Sequence, residues 1–180
     1  AKHASIFGVN AGEVSIDLKA VLKRKDDVVG QNAGGVQYLM KKNKVEVFHG
    51  FGSLEGRAPD GSRRVKVTPA EGAAQTLQTK NVLLATGSVP RRIPGINIDG
   101  EAVLTSDELL ELSTMPSHLI VLGAGAVGVE FASVFRSFGA EVSVVELADR
   151  LVPVEDVEVS KEFEKIYKKQ LLPVISKPVM

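Results

Sequence analysis

Cysteine is absent from this sequence of 180 residues, and so is tryptophan. Without cysteine the chain holds no disulfide framework, no thiolate nucleophile and no cysteine-based metal site. The three histidines, His3, His49 and His118, are too far apart for metal-ligand spacing and read as incidental. An excess of either charge is missing too, since 22 Lys and Arg balance 22 Asp and Glu. No bulk field therefore draws nucleic acid or an anionic membrane, and no basic stretch is interleaved with aromatics. No apolar run approaches the roughly 18 residues of a membrane span. The opening "AKHASIFGVNAGEVS" lacks the continuous apolar stretch of a secretory leader. A reducing compartment suits such a chain. Its 44% hydrophobic and 24% charged residues are ordinary for a globular protein, and its length fits one large domain or two modest ones. It starts at Ala1 rather than Met and stops within "LLPVISKPVM", which reads as a strand with no closing helix; both ends are expected to be cut.

Periodicity divides what is present. Apolar residues at Leu18, Val21, Leu22, Val28, Val29, Val36, Leu39 and Met40 predict a helix over 17–42 with Asp17 as N-cap. Gly30, Gly34 and Gly35 each cost about 1 kcal/mol against Ala inside it, which predicts a close approach, a kink or a break. Lys41, Lys42 and Lys44 form a solvated helix end. Three β-like runs follow, "VEVFHG" (45–50), "RRVKVTP" (63–69) and "TLQTKNVLLATG" (76–87), with turn residues between them. They predict an antiparallel meander whose last strand, Val82–Ala85, is apolar throughout and buried on both faces. "GSVPRRIPGINIDG" (87–100) is a linker candidate, and Thr105 and Glu108 are spaced for a capping box. An amphipathic helix is expected over 156–170 with Val159, Phe163, Ile166 and Tyr167 on its apolar face.

One stretch carries chemistry. "HLIVL" (118–122) predicts a buried strand, and Gly123, Gly125 and Gly128 follow in the spacing GxGxxG. A helix over Ala126–Phe138 would bury Val127, Phe131, Val134, Phe135 and Phe138 and end at Gly139. A second strand ends at Glu146, 23 residues after Gly123. A lone glycine motif is weak; strand, turn, helix, strand and acid in one unit are the dinucleotide-binding pattern. Gly123 permits the tight turn, Gly125 lets a diphosphate approach the backbone, and Gly128 lets helix and strand pack closely. Ala124, Ala126, Val127 and Val129 complete the loop and the first helical turn, whose N–H groups suit a diphosphate. Glu146 can accept both ribose hydroxyls. A 2′-phosphate there would meet a carboxylate, costing about 4 kcal/mol per charge pair at about 4 Å and an effective dielectric of about 20. The acid favours NAD over NADP, with Arg150 close enough in sequence to weaken the argument. Glu130 either points past the diphosphate toward a nicotinamide or is a plain surface residue.

"HGFGSL" (49–54), "NVLLATGSVP" (81–90), the proline-rich link and "GAGAVGVE" (123–130) stand in the order found in the pyridine nucleotide-disulfide oxidoreductases. The chain resembles that family from about residue 3 to 170, and its dihydrolipoamide-oxidising branch most of all. "GGVQYLMKKNKVEVFHGFGSL" (34–54) and "LADRLVPVEDVEVSKEF" (147–163) carry the finer likeness. The resemblance implies a Rossmann-like α/β fold with two nucleotide-binding domains, both incomplete here. Residues 1–92 would be part of an FAD-binding domain and 93–180 an NAD-binding domain. Thr86, Gly87 and Ser88 would run close to the flavin, and Gly52 near its adenine end. The family's first FAD glycine motif, redox-active cysteine pair and C-terminal His-Glu pair have no counterpart among these residues. Leu171 stands where the family has a turn glycine.

The resemblance further implies an E3-type enzyme that passes electrons from lipoyl groups of an acyltransferase component through FAD to NAD, as a homodimer in a bacterial cytoplasm or mitochondrial matrix. Two alternatives stay open: a self-contained NAD-binding module without catalysis, and another disulfide oxidoreductase of the same family. Alone, the 180 residues are expected to leave sheet edges open and to be poorly soluble and flavin-free.

Overall fold

The structure is a computed structural model that describes residues 4–9, 12–169 and 174–176, with 4, 5 and 174–176 by backbone alone. His3, Leu171 and most of the terminal "LLPVISKPVM" lie outside the described residues. Two compact units are present, Arg24–Ile93 and Pro94–Met180 with Ala1–Lys23.

The long helix forms as the periodicity predicts. α1 spans Leu18–Lys42, and the Ala20 N–H donates to Asp17 Oδ1 at 3.1 Å, an N-cap that satisfies one orphan donor. It runs unbroken through Gly30, Gly34 and Gly35, where a Cβ would meet nothing within 4 Å. The close approach expected there is not made by the described residues, and α1 buries none of its own.

β1 (Phe51–Arg57), β2 (Arg63–Thr68) and β3 (Gln75–Thr79) make the antiparallel meander in the order β1-β2-β3. The β1–β2 turn closes as its residues dictate. The Ala58 N–H donates to the Ser62 carbonyl at 2.8 Å, Asp60 Oδ1 accepts from the Ser62 N–H, and Gly61 takes φ +83. Two expectations fail. Residues 45–50 are not a strand, because Phe51 pairs with Thr68 and the next position is Pro69, which has no N–H to continue the ladder. At that point Gly50, at φ +155, passes so close to β2 that a Cβ would lie 2.6 Å from the Thr68 carbonyl. Val82–Ala85 is not a strand either, and Leu83 is 90% exposed. A central strand needs neighbours for its backbone groups, and the described residues supply none.

The other unit holds a parallel sheet. β4 (His118–Leu122), β5 (Glu141–Glu146) and β6 (Val174–Ser176) pair in the order β4-β5-β6, with α3 (Ala126–Phe138) crossing from β4 to β5. α2 (Ser106–Leu109) begins at the predicted capping box of Thr105 and Glu108. Gly139 ends α3 in the left-handed conformation at φ +103. The core joins Val142 and Val144 of β5, Val129, Ala132 and Phe135 of α3, Leu151, Val152 and Tyr167.

Burial departs from the sequence pattern in three places. β4 buries neither face fully, and Ile120 stays 59% exposed, since α3 covers one side of the strand and β5 is its one neighbour among the described residues. Val127 and Val134 of α3 face away from the core for the same reason, while Phe131 and Phe138 are half-buried. In α4 (Val157–Lys169) the inward stripe is Ser160 and Tyr167, both buried, with Phe163 and Glu164 half-buried, not Val159 and Ile166. Polar anchors select that face. Ser160 Oγ donates to the Val152 carbonyl at 3.2 Å, the Leu151 N–H donates to Glu164 Oε1 at 3.3 Å, and the Tyr167 hydroxyl donates to the Val129 carbonyl.

Candidate dinucleotide site

The turn between β4 and α3 is locked one peptide at a time. Gly123 takes φ +102, a conformation that disfavours any other residue, and its N–H donates to the Val145 carbonyl at 2.8 Å. The next N–H, of Ala124, donates to Glu146 Oε2 at 2.6 Å. The Gly123 carbonyl therefore turns toward α3, where a Cβ on Gly128 would sit 2.1 Å from its oxygen and 3.3 Å from Val121 Cγ1. The close helix–strand packing expected of Gly128 is thus met by geometry. The Ala124 carbonyl accepts the Val152 N–H at 2.8 Å.

The helix that follows opens toward space. Gly125 is the N-cap of α3 with no side-chain cap, and a Cβ there would meet nothing within 4 Å. The first intrahelical bond runs from the Val129 N–H to the Gly125 carbonyl at 3.1 Å. The N–H groups of Gly125, Ala126, Val127 and Gly128 precede it and have no helical acceptor. Their partial positive charge suits an anion. A diphosphate fits this cradle because bare backbone, open space and unused donors coincide.

Glu146 serves the loop as well as any ligand. Its Oε1 accepts the Ala148 N–H at 2.8 Å while Oε2 holds Ala124. Each carboxylate oxygen retains a second lone pair for a ribose hydroxyl. Arg150, the residue that weakened the NAD argument, turns to its own loop and donates to the carbonyls of Pro153 at 2.7 Å and Glu155 at 3.2 Å. Glu130 is exposed, just beyond the first turn of α3. Burial, and after it the Glu130 charge, raise the Tyr167 hydroxyl above its ordinary 10.0.

The structure thus brings Gly123, Ala124, Gly125, Ala126, Val127, Gly128, Val129, Glu130 and Glu146 to one loop-and-helix start. Gly52, Thr86, Gly87 and Ser88 lie in the other unit: Gly52 on β1 opposite Val67, the rest on irregular exposed backbone with Gly87 at φ +77. Sequence reasoning missed Val152 and Ser160, whose polar contacts span separations that no local periodicity encodes. Among the described residues no group of His, Asp and Glu could hold a metal ion, and no helix is long and apolar enough to cross a membrane.

The profile of the family described as pyridine nucleotide-disulphide oxidoreductase matches residues 3–177. The chain belongs to that family. Among relatives of this pyridine nucleotide-disulphide oxidoreductase, a dihydrolipoyl dehydrogenase of Bacillus subtilis is 41% identical over 173 residues, covering 94% of this chain and 36% of the relative. A mitochondrial dihydrolipoyl dehydrogenase of Dictyostelium discoideum is 39% identical over 166 residues, 92% of this chain and 33% of its own. The crystal structure of LpdA from Mycobacterium tuberculosis superposes with a TM-score of 0.86 at 28% identity, over 98% of this chain and 38% of that one. The chain therefore spans about a third of the length of the relatives it matches. Family members bind FAD and NAD.

Proposed function

We propose that these residues are the cofactor-gripping part of an E3-type flavoprotein that oxidises dihydrolipoamide and reduces NAD⁺ within 2-oxo acid dehydrogenase complexes. The observation that carries the reading is the Glu146 carboxylate at the end of β5, bonded to the loop N–H of Ala124, in a chain similar to dihydrolipoyl dehydrogenases. When bound, flavin and nicotinamide supply the electron and hydride chemistry, and the protein supplies position and electrostatics. Residues Gly123–Glu130 hold the diphosphate and start of the nicotinamide half, and Glu146 takes the adenosine ribose and disfavours a 2′-phosphate. Thr86, Gly87 and Ser88 run beside the flavin, with Gly52 toward its adenine end. Residues 1–92 belong to the FAD-binding domain and 93–180 to the NAD-binding domain. The partners are lipoyl groups of an acyltransferase component and a second copy of the full-length chain. A bacterial cytoplasm or mitochondrial matrix houses it, in keeping with a bacterial and a mitochondrial relative.

The test is NADH formation by the full-length protein from dihydrolipoamide and NAD⁺. NADP⁺ is expected to be at least about tenfold poorer in kcat/KM, or 1.4 kcal/mol, a conservative fraction of the unscreened repulsion. Turnover of a different disulfide with dihydrolipoamide inert would replace the substrate. Equal use of NADP⁺ would remove the role given to Glu146. Binding of NAD without any turnover would leave a binding module.

A further inference from the structure

Val152 sits at φ +42, a left-handed backbone that β-branched residues rarely adopt. Pro153 follows, and a residue before proline is steered toward extended backbone. Local preference opposes this conformation twice, so the surroundings hold it. They do so through both backbone groups. The Val152 carbonyl accepts the Glu155 N–H at 2.9 Å and Ser160 Oγ at 3.2 Å, which ties it to the start of α4. Its N–H donates to the Ala124 carbonyl at 2.8 Å, in the middle of the glycine loop. Val152 itself is buried in the core, and the preceding Leu151 is fully buried.

The consequence lies in the peptide that joins Ala124 to Gly125. Among the described residues no peptide bond is cis, so the carbonyl and N–H of that unit point in opposite directions. With the Ala124 carbonyl fixed on Val152, the Gly125 N–H of the same peptide is turned the opposite way, away from Val152. The preceding peptide is fixed separately by Glu146.

We propose that Val152 is a positioning residue for the diphosphate of the dinucleotide: its strained turn holds the Ala124–Gly125 peptide so that the Gly125 N–H is preset toward the ligand. This rests on the NAD reading. A loop that merely closes the core would need the buried side chains of Leu151 and Val152 but not this one N–H.

Replacing the residue-152 amide by an ester, with the α-hydroxy analogue of valine in the full-length protein, deletes the N–H and keeps the side chain. ADP-ribose, which carries the diphosphate, and adenosine, which does not, are titrated against each protein by calorimetry, with flavin content and melting temperature alongside. Losing one hydrogen bond weakens ADP-ribose about fivefold in the ester protein, while adenosine changes less than about twofold. Equal ADP-ribose affinity in ester and parent overturns the proposal and leaves the NAD reading in place. Equal weakening of ADP-ribose and adenosine also overturns it, since the whole site would then have shifted. A parent protein that binds neither ADP-ribose nor NADH removes the NAD reading and this proposal with it.

Discussion

His118–Leu122 and Val82–Ala85 are alike as sequence. Each is a short apolar run, "HLIVL" and "VLLA", and each leads to a glycine with positive φ, Gly123 at +102 and Gly87 at +77. One is a strand and the other is not. His118–Leu122 has a parallel partner in β5 and a helix over one face, all within 30 residues. Val82–Ala85 has no paired strand among the described residues, and its leucines face solvent. An apolar run specifies a strand through what it pairs with, and burial comes from the layer it joins rather than from its own composition.

The sharpest way to break that comparison is to supply or withhold the neighbours. Expressed alone, the 180 residues are expected in the insoluble fraction and without flavin, because exposed Leu83, Leu84, Ile120 and Leu122 leave apolar surface and open edges in water. In the full-length protein the amides of Val82–Ala85 should be protected from hydrogen exchange. A soluble, yellow, monodisperse preparation of these residues alone would show that the run needs no further partner.

The next effect tests the strand that did form. Gly128→Ala places a Cβ 2.1 Å from the Gly123 carbonyl, an atom of the backbone that cannot swing aside. Destabilisation of about 3 kcal/mol is expected, at the upper end for overpacking, with a lowered melting temperature and a raised KM for NAD. Gly125→Ala, with nothing within 4 Å of its Cβ, should leave stability within about 1 kcal/mol and weaken NAD alone. Equal melting temperatures for the two variants would mean that helix and strand are not packed through Gly128.

Glu146 lies between stability and binding. Glu146→Ala strips acceptors from the Ala124 and Ala148 N–H groups, each bond to a charged group being worth about 1.5–3 kcal/mol where it is shielded from water. Less is expected at this half-exposed position. The preference for NAD⁺ over NADP⁺ in kcat/KM should shrink toward unity. An unchanged preference would place selection elsewhere than at the end of β5.

Much of this was legible in the sequence where the signal was local. The bounds of α3, the capping box at Thr105, the turn at Asp60–Gly61, and the strand–helix–strand order up to Glu146 follow from residues within a few positions of one another. What could not be read depended on long separations. Phe51 rather than Val45 starts β1 because Pro69 ends the ladder across from it, and α4 buries Ser160 rather than Val159 because a carbonyl at Val152 waits for its hydroxyl. Periodicity reports which face is apolar. It does not report which neighbour asks for a polar group.

The smallest effect concerns the last such long-range contact. Tyr167 of α4 is buried and donates its hydroxyl to the Val129 carbonyl, 38 positions away in sequence. Tyr167→Phe removes that bond and is expected to cost about 1 kcal/mol at neutral pH. Its pH dependence is more telling. Burial first, and the Glu130 charge second, hold the folded-state hydroxyl above 10.0, so between the unfolded and folded values the unfolded chain has lost a proton that the native one keeps. Stability from this group is therefore complete below about pH 10 and is lost as pH rises through the folded value. Tyr167→Phe should flatten that part of the alkaline denaturation profile and leave the slope below it unchanged, and Glu130→Gln should flatten it less. A variant whose alkaline slope matches the parent would mean that the hydroxyl titrates freely and that α4 is held to α3 by its apolar face alone.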